Sequence, residues 1–137
     1  MLFRSVSQSR YVQGWSQLPK TGDCLIITKS LKDVMAINEV LGYHAAALQS
    51  ENVLPKKHVF KELEERFNTI IIFYDNDYDK EENWGQIFAK RLEEFTNCFN
   101  FYLPEKYESK DFSDLIKNYG EKAAKEIFEE ELLTPPF

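Results

Sequence analysis

Three acidic residues at alternate positions, Asp75, Asp77 and Asp79, follow directly on the run Thr69-Ile70-Ile71-Ile72-Phe73-Tyr74. Carboxylates this close repel one another and are costly unless a cation neutralises them. A hard divalent ion that takes oxygen ligands, Mg²⁺ or Mn²⁺, is the natural partner. The alternative is a solvated acidic turn. Two further residues could join such a centre. Asp111 is a fourth candidate ligand, although its position just ahead of an apolar helical pattern equally suits a helix N-cap. Asp33 reads first as a capping acid and second as a ligand. Lys29, Lys32 and Lys110 are candidate phosphate contacts, with ordinary solvent-facing lysines as the alternative. His44 and His58 are isolated from any other ligating residue.

The elements that must position these groups follow from composition and spacing. A short run rich in Ile, Phe and Tyr is a strand buried on both faces. The acids therefore sit at its carboxyl end, which in open α/β sheets is the ligand-binding edge. Cys24–Thr28 forms a second buried strand, with Lys29 and Ser30 at its edge. Ser30 caps a helix over Leu31–Leu41, Asp33 supplies the capping-box acid, and Gly42 stops the helix. Ala45–Leu48 is a third strand. A helix over Lys56–Phe67 leads into the acidic strand.

The spacing of Trp84, Ile87, Phe88, Arg91, Leu92 and Phe95 predicts an amphipathic helix over 83–95, with its aromatic residues in the core. Phe99–Leu103 is the fourth strand. Asp111 begins a helix ended by Gly120, and Glu121–Leu133 is the last helix. Alternating strands and helices predict an α/β fold, a four-stranded parallel sheet flanked by helices on both faces with extra C-terminal helices. Residues 1–22 read as an N-terminal arm containing a short strand over Leu2–Val6, and residues 134–137 as a tail or the start of a linker.

Composition narrows the function classes. The chain of 137 residues is 43% hydrophobic, enough for one cored domain. Its 17 basic and 23 acidic residues give a net charge of −6, the wrong sign for gripping nucleic acid by bulk charge. Any nucleic-acid contact is then local, metal-mediated or shared with another domain. No apolar run is long enough for a membrane span, and no signal-peptide pattern is present. Cys24 and Cys98 lie far apart in apolar surroundings, as buried thiols do. These features predict an intracellular, reduced domain with no membrane partner.

Several Asp-x-Asp chemistries fail on spacing. An EF-hand counted from Asp75 would need Gly and Glu where Lys80 and Gln86 stand. A haloacid-dehalogenase-type site puts the motif on the first strand. A receiver domain needs acids at the end of its first strand, where Thr28 and Lys29 lie.

One family fits by order and spacing. Leu25–Asp33 resembles the first toprim motif, strand-Thr-Glu-Gly-x-x-Asp. Ile70–Asp79 resembles the second, strand-Asp-x-Asp. Lys110-Asp111-Phe112-Ser113-Asp114 is similar to the Lys-Asp-x-x-(Glu/Asp) element of phage-type primases. The resemblance runs from about Asp23 to Gly120 and is nearest to primases encoded by phages and plasmids. It implies Mg²⁺-dependent (or Mn²⁺-dependent) nucleotidyl transfer in primer synthesis, with single-stranded DNA and nucleoside triphosphates as partners. It also implies a helicase or other primase domains alongside, since no zinc module or Walker loop is present.

By the same resemblance Lys29, Asp75 and Asp77 would occupy the catalytic positions, and Asp75, Asp77, Asp79 and Asp111 would hold the metal. The family's first-motif glutamate falls on Lys29, and its glycine on Ser30. A protonated lysine cannot ligate Mg²⁺, but it can stand in for a cation beside Asp75 or Asp77. Lys29 therefore leaves two alternatives to an active primase domain: a non-catalytic nucleic-acid-binding or assembly module of toprim fold, and a small toprim nuclease.

Overall fold

The computed structural model describes residues 12–13, 18–48, 57–95 and 97–133. Their strands are β1 (Val12–Gln13), β2 (Gly22–Thr28), β3 (His44–Leu48), β4 (Phe67–Phe73) and β5 (Phe99–Phe101). They form one sheet in the order β1-β3-β2-β4-β5. The pairings β3-β2, β2-β4 and β4-β5 are parallel. These four parallel strands are the predicted sheet. β1, within the stretch read as an arm, adds antiparallel to the β3 edge. The strand anticipated over Leu2–Val6 lies outside the described residues.

Helices cover both faces because β2 and β4 bury both sets of alternate side chains. Leu25, Ile27, Ile70, Ile72 and Tyr74 point to one face. There they pack on α2 (Lys57–Arg66) and α3 (Trp84–Phe95) through Val59, Phe60, Leu63, Ala89 and Leu92. Ile26, Ile71 and Phe73 point to the other face, against α1 (Leu31–Ala36), α4 (Phe112–Tyr119) and α5 (Glu121–Leu133). Phe128 meets Phe73, Phe101 and Phe112 with ring centroids 5.2–5.8 Å apart. Each fully buried side chain of this size contributes about 1.5–3 kcal/mol.

Local signals set most element ends. Ser30 caps α1, its hydroxyl accepting the Asp33 N–H at 3.3 Å. The helix is α over Leu31–Ala36 and widens to a π-helical turn over Ile37–Leu41. Gly42 N–H closes that turn on Ile37 and Asn38 carbonyls, at φ 75° in the left-handed region that glycine tolerates.

Three expectations need correction. Phe67 ends no helix; it starts β4 opposite Gly22, because strand pairing and burial of its ring outweigh helix continuation. A side chain at Gly22 would meet that ring, with a Cβ 2.8 Å from Cε1. β5 stops at Phe101, two residues short of the predicted end. Trp84 is not core: it is 48% exposed and stacks on Phe88 at 5.7 Å, since it flanks the buried stripe formed by Gly85, Ala89 and Leu92. Arg91, the charged member of the predicted stripe, lays its guanidinium over Phe88 at 5.2 Å.

Candidate metal centre at the carboxyl edge of the sheet

β2 and β4 run side by side in register, Thr28 opposite Phe73, so both carboxyl ends open at one edge. The chain goes from β2 to β3 on one side and then to β4 on the other. That edge is therefore a point where the winding reverses. Lys29 leaves the end of β2 and reaches Asp75 beyond β4, with Nζ 3.1 Å from Oδ2. Asp33 arrives from the first turn of α1. Asp111 arrives as the N-cap of α4, its Oδ1 accepting the Asp114 N–H at 2.8 Å. One carboxylate oxygen from each of Asp33, Asp75 and Asp111 lies within 4.8 Å of the others.

These three acids are the group the tertiary structure brings together. Asp33 joins through Ser113 on α4, whose hydroxyl donates to Asp33 Oδ1 at 2.5 Å, while Ser30 donates to Oδ2 at 3.1 Å. Sequence reasoning set Asp33 second as a ligand because Ser30-x-x-Asp33 reads completely as a helix cap. The missing signal was the serine 80 residues away.

Asp77 is also buried, but its Oδ2 accepts the Gly85 N–H at 3.0 Å and its Oδ1 lies 3.8 Å from Lys80 Nζ. Its carboxylate thus holds the start of α3 and is not one of the three. Asp79 is exposed and pairs with Lys110 at 2.9 Å. That contact holds the Asp79 carboxyl below, and the Lys110 amine above, their ordinary values. Lys32 is exposed on α1.

The loop carrying Asp75 is held rigidly. Gln86 Nε2 donates to the carbonyls of Asp75 and Tyr74, and Gln86 Oε1 accepts from Asn100 Nδ2 at 3.0 Å. Asn76 N–H bonds the Lys110 carbonyl at 2.9 Å, and Asn76 Nδ2 bonds the Leu103 carbonyl at 2.9 Å. The backbone beside Asp75 is thereby tied to the backbone beside Asp111. Asn83 closes the network, donating to Asn76 Oδ1 and accepting the Asp77 N–H, both at 2.8 Å. Gly85 is required by close approach: a Cβ there would lie 2.1 Å from the Asp75 carbonyl oxygen.

The electrostatics are those of an under-neutralised acidic pocket. Burial pushes the Asp75 carboxyl up, and Lys29 only partly offsets it against Asp33 and Asp77. Burial and the Asp33 charge push Asp111 up to about 7. Asp75 Oδ1 is buried and has no hydrogen-bond partner among the described residues. An orphaned buried oxygen amid hard oxygen donors fits Mg²⁺ or Mn²⁺, whose ligands are carboxylates and water. Cys24 and Cys98 are half-buried free thiols, raised by burial, Cys98 to about 12. Among the described residues no helix is long and apolar enough to cross a membrane.

No family model matches the chain, and no curated protein matches it. Solved structures do. One is a chain from the complex of bacteriophage T7 lagging-strand DNA polymerase with primase domains of two gp4 subunits bound to an RNA/DNA hybrid and dTTP. It matches with a TM-score of 0.62 at 17% identity, over 87% of this chain and 58% of that one. The primase fragment of the bacteriophage T7 primase-helicase protein matches with a TM-score of 0.60 at 14% identity, over 90% of this chain and 49% of that one. The chain thus spans about half the length of the structures it matches. At these identities the likeness is one of fold: this chain has the α/β fold of a phage primase domain.

Proposed function

We propose that the chain is a toprim-like domain of a phage- or plasmid-type DNA primase, acting with Mg²⁺ or Mn²⁺ on single-stranded DNA and nucleoside triphosphates. In this reading it works beside a helicase or other primase domains and is weak alone. The observation that carries it is the convergence of Asp33, Asp75 and Asp111 on one site at the carboxyl edge of a primase-like sheet. Asp33, Asp75 and Asp111 would hold the ion, with Asp33 oriented by its two serine hydroxyls. A bound divalent ion supplies charge neutralisation at a transferring phosphoryl group. Lys29, 43% exposed at its side chain, offers a cation to a phosphate at the rim. Lys110 would contact phosphate by exchanging its Asp79 partner. Asp77 serves by anchoring α3 against the Asp75 loop.

The Lys29–Asp75 pair favours a second reading, a non-catalytic nucleic-acid-binding or assembly module, because an ammonium already neutralises part of the site. One assay separates the readings: incorporation of nucleoside triphosphates on a single-stranded template with Mn²⁺, run on the chain and on Asp75→Asn and Asp111→Asn. The proposal expects trace, metal-dependent synthesis lost in both variants. Template binding without synthesis supports the module, and template cleavage supports a small toprim nuclease. Synthesis untouched by both substitutions overturns the proposed site.

A further inference from the structure

We infer that the Lys29 ammonium permanently occupies one cation position of this site, so that the chain accepts at most one divalent ion, at Asp33, Asp75 and Asp111. The inference rests on the proposed metal-dependent reading and adds the number of ions and the identity of the second cation.

Asp75 is the pivot of the site. Its two oxygens have separate surroundings: Oδ2 is 3.1 Å from Lys29 Nζ, whereas Oδ1 is buried with no hydrogen-bond partner among the described residues. The residue is only 7% exposed, so water does not compensate that oxygen freely. The three ligand oxygens spread over no more than 4.8 Å. Oxygens about 2.1 Å from one Mg²⁺ or Mn²⁺ lie at most about 4.2 Å apart, so a small inward shift at most brings the three into one shell, with waters completing it.

A second ion would have to stand about 3.5–4 Å from the first and share Asp75 through Oδ2. Lys29 Nζ already stands against that oxygen. The nearest further acid on the loop, Asp77, gives one oxygen to the Gly85 N–H and faces Lys80 with the other. Charge balance agrees: three carboxylates are neutralised by one ammonium and one divalent ion. A second divalent ion would leave the buried site with excess positive charge.

Calorimetric titration of Mn²⁺ into the intact chain, Lys29→Met and Lys29→Glu at pH 7.5 tests this, with circular dichroism checking each fold. Wild type should bind no more than one ion. Removing the ammonium should tighten binding on the order of tenfold in Lys29→Met, given the strength of near-surface charge interactions at about 4 Å. Lys29→Glu should bind more tightly still, because it adds an oxygen ligand. If Lys29→Glu does not fold alone, refolding with Mn²⁺ and equilibrium dialysis give the same count. Two ions on wild type, unchanged affinity in both variants, or no binding by any of the three chains overturns the inference. Ion counts do not depend on primer synthesis, so a chain that binds ions as expected yet makes no primer refutes the proposed function alone.

Discussion

Lys29 and Asp75, 46 residues apart, meet at 3.1 Å where β2 and β4 end together. The lysine side chain is 43% exposed and the aspartate 9%, so the pair joins a solvent-facing cation to a buried anion. Breaking such a pair from the cation side leaves an uncompensated charge in a pocket that already holds Asp33 and Asp111.

Lys29→Ala is therefore expected to lower stability without divalent ions by roughly 1–3 kcal/mol. Added Mn²⁺ should restore more of the melting temperature in the variant than it adds to wild type. Thermal melts with and without 5 mM Mn²⁺ (about the level needed for a weak site) measure both effects. A variant that melts like wild type under both conditions would place the Lys29 charge outside the site's energetics.

Stability should depend on pH through Asp111. Its carboxyl is raised from 3.8 to about 7 in the folded chain, so the folded state holds a proton there that the unfolded chain has lost. The raised Asp75 carboxyl acts in the same direction. Folding stability without metal should then fall as pH rises from about 4 to about 7 and level off above. Urea titrations across that range should show the slope, and Asp111→Asn should flatten it. Metal affinity should rise over the same window, because binding displaces the proton.

Gly85→Ala should be far more damaging than a surface helix substitution. The added Cβ would fall 2.1 Å from the Asp75 carbonyl oxygen, so either α3 or the Asp75 loop must move. A loss of about 2–3 kcal/mol or more is expected. Denaturant midpoints measure it; a cost under about 0.5 kcal/mol, the usual surface range, would show that the loop yields freely.

Asn76→Ala should weaken the proposed metal site as well as the fold. It removes the bond to the Leu103 carbonyl and the acceptor for Asn83, each about 1 kcal/mol net. The Asn76 backbone N–H bond to the Lys110 carbonyl, which ties the Asp75 segment to the Asp111 segment, then loses the side-chain anchors that fix it. Mn²⁺ affinity measured well below the variant's melting temperature should therefore drop several-fold. Unchanged affinity in a destabilised variant would show that Asn76 supports only the fold.

Features whose causes lie within a few residues are legible in the sequence. Ile70–Phe73 and Leu25–Thr28 are strands because apolar, β-branched and aromatic side chains leave no face for water. Ser30 and Asp111 cap helices because a side-chain oxygen three residues ahead finds an orphan N–H. The last helix runs over Glu121–Leu133 as its pattern predicts.

Which carboxylates come together follows from long-range packing. Alternate spacing put Asp75 and Asp77 on equal terms, but the Gly85 N–H draws Asp77 toward α3 while Lys29 meets Asp75. Asp33 enters through Ser113, and Asp111 through the Asn76 bond to Lys110. Trp84 lies outside the core because α3 turns Gly85, Ala89 and Leu92 inward. Each outcome depends on strand order and on contacts across tens of residues. Local propensity carries no energy term for such contacts.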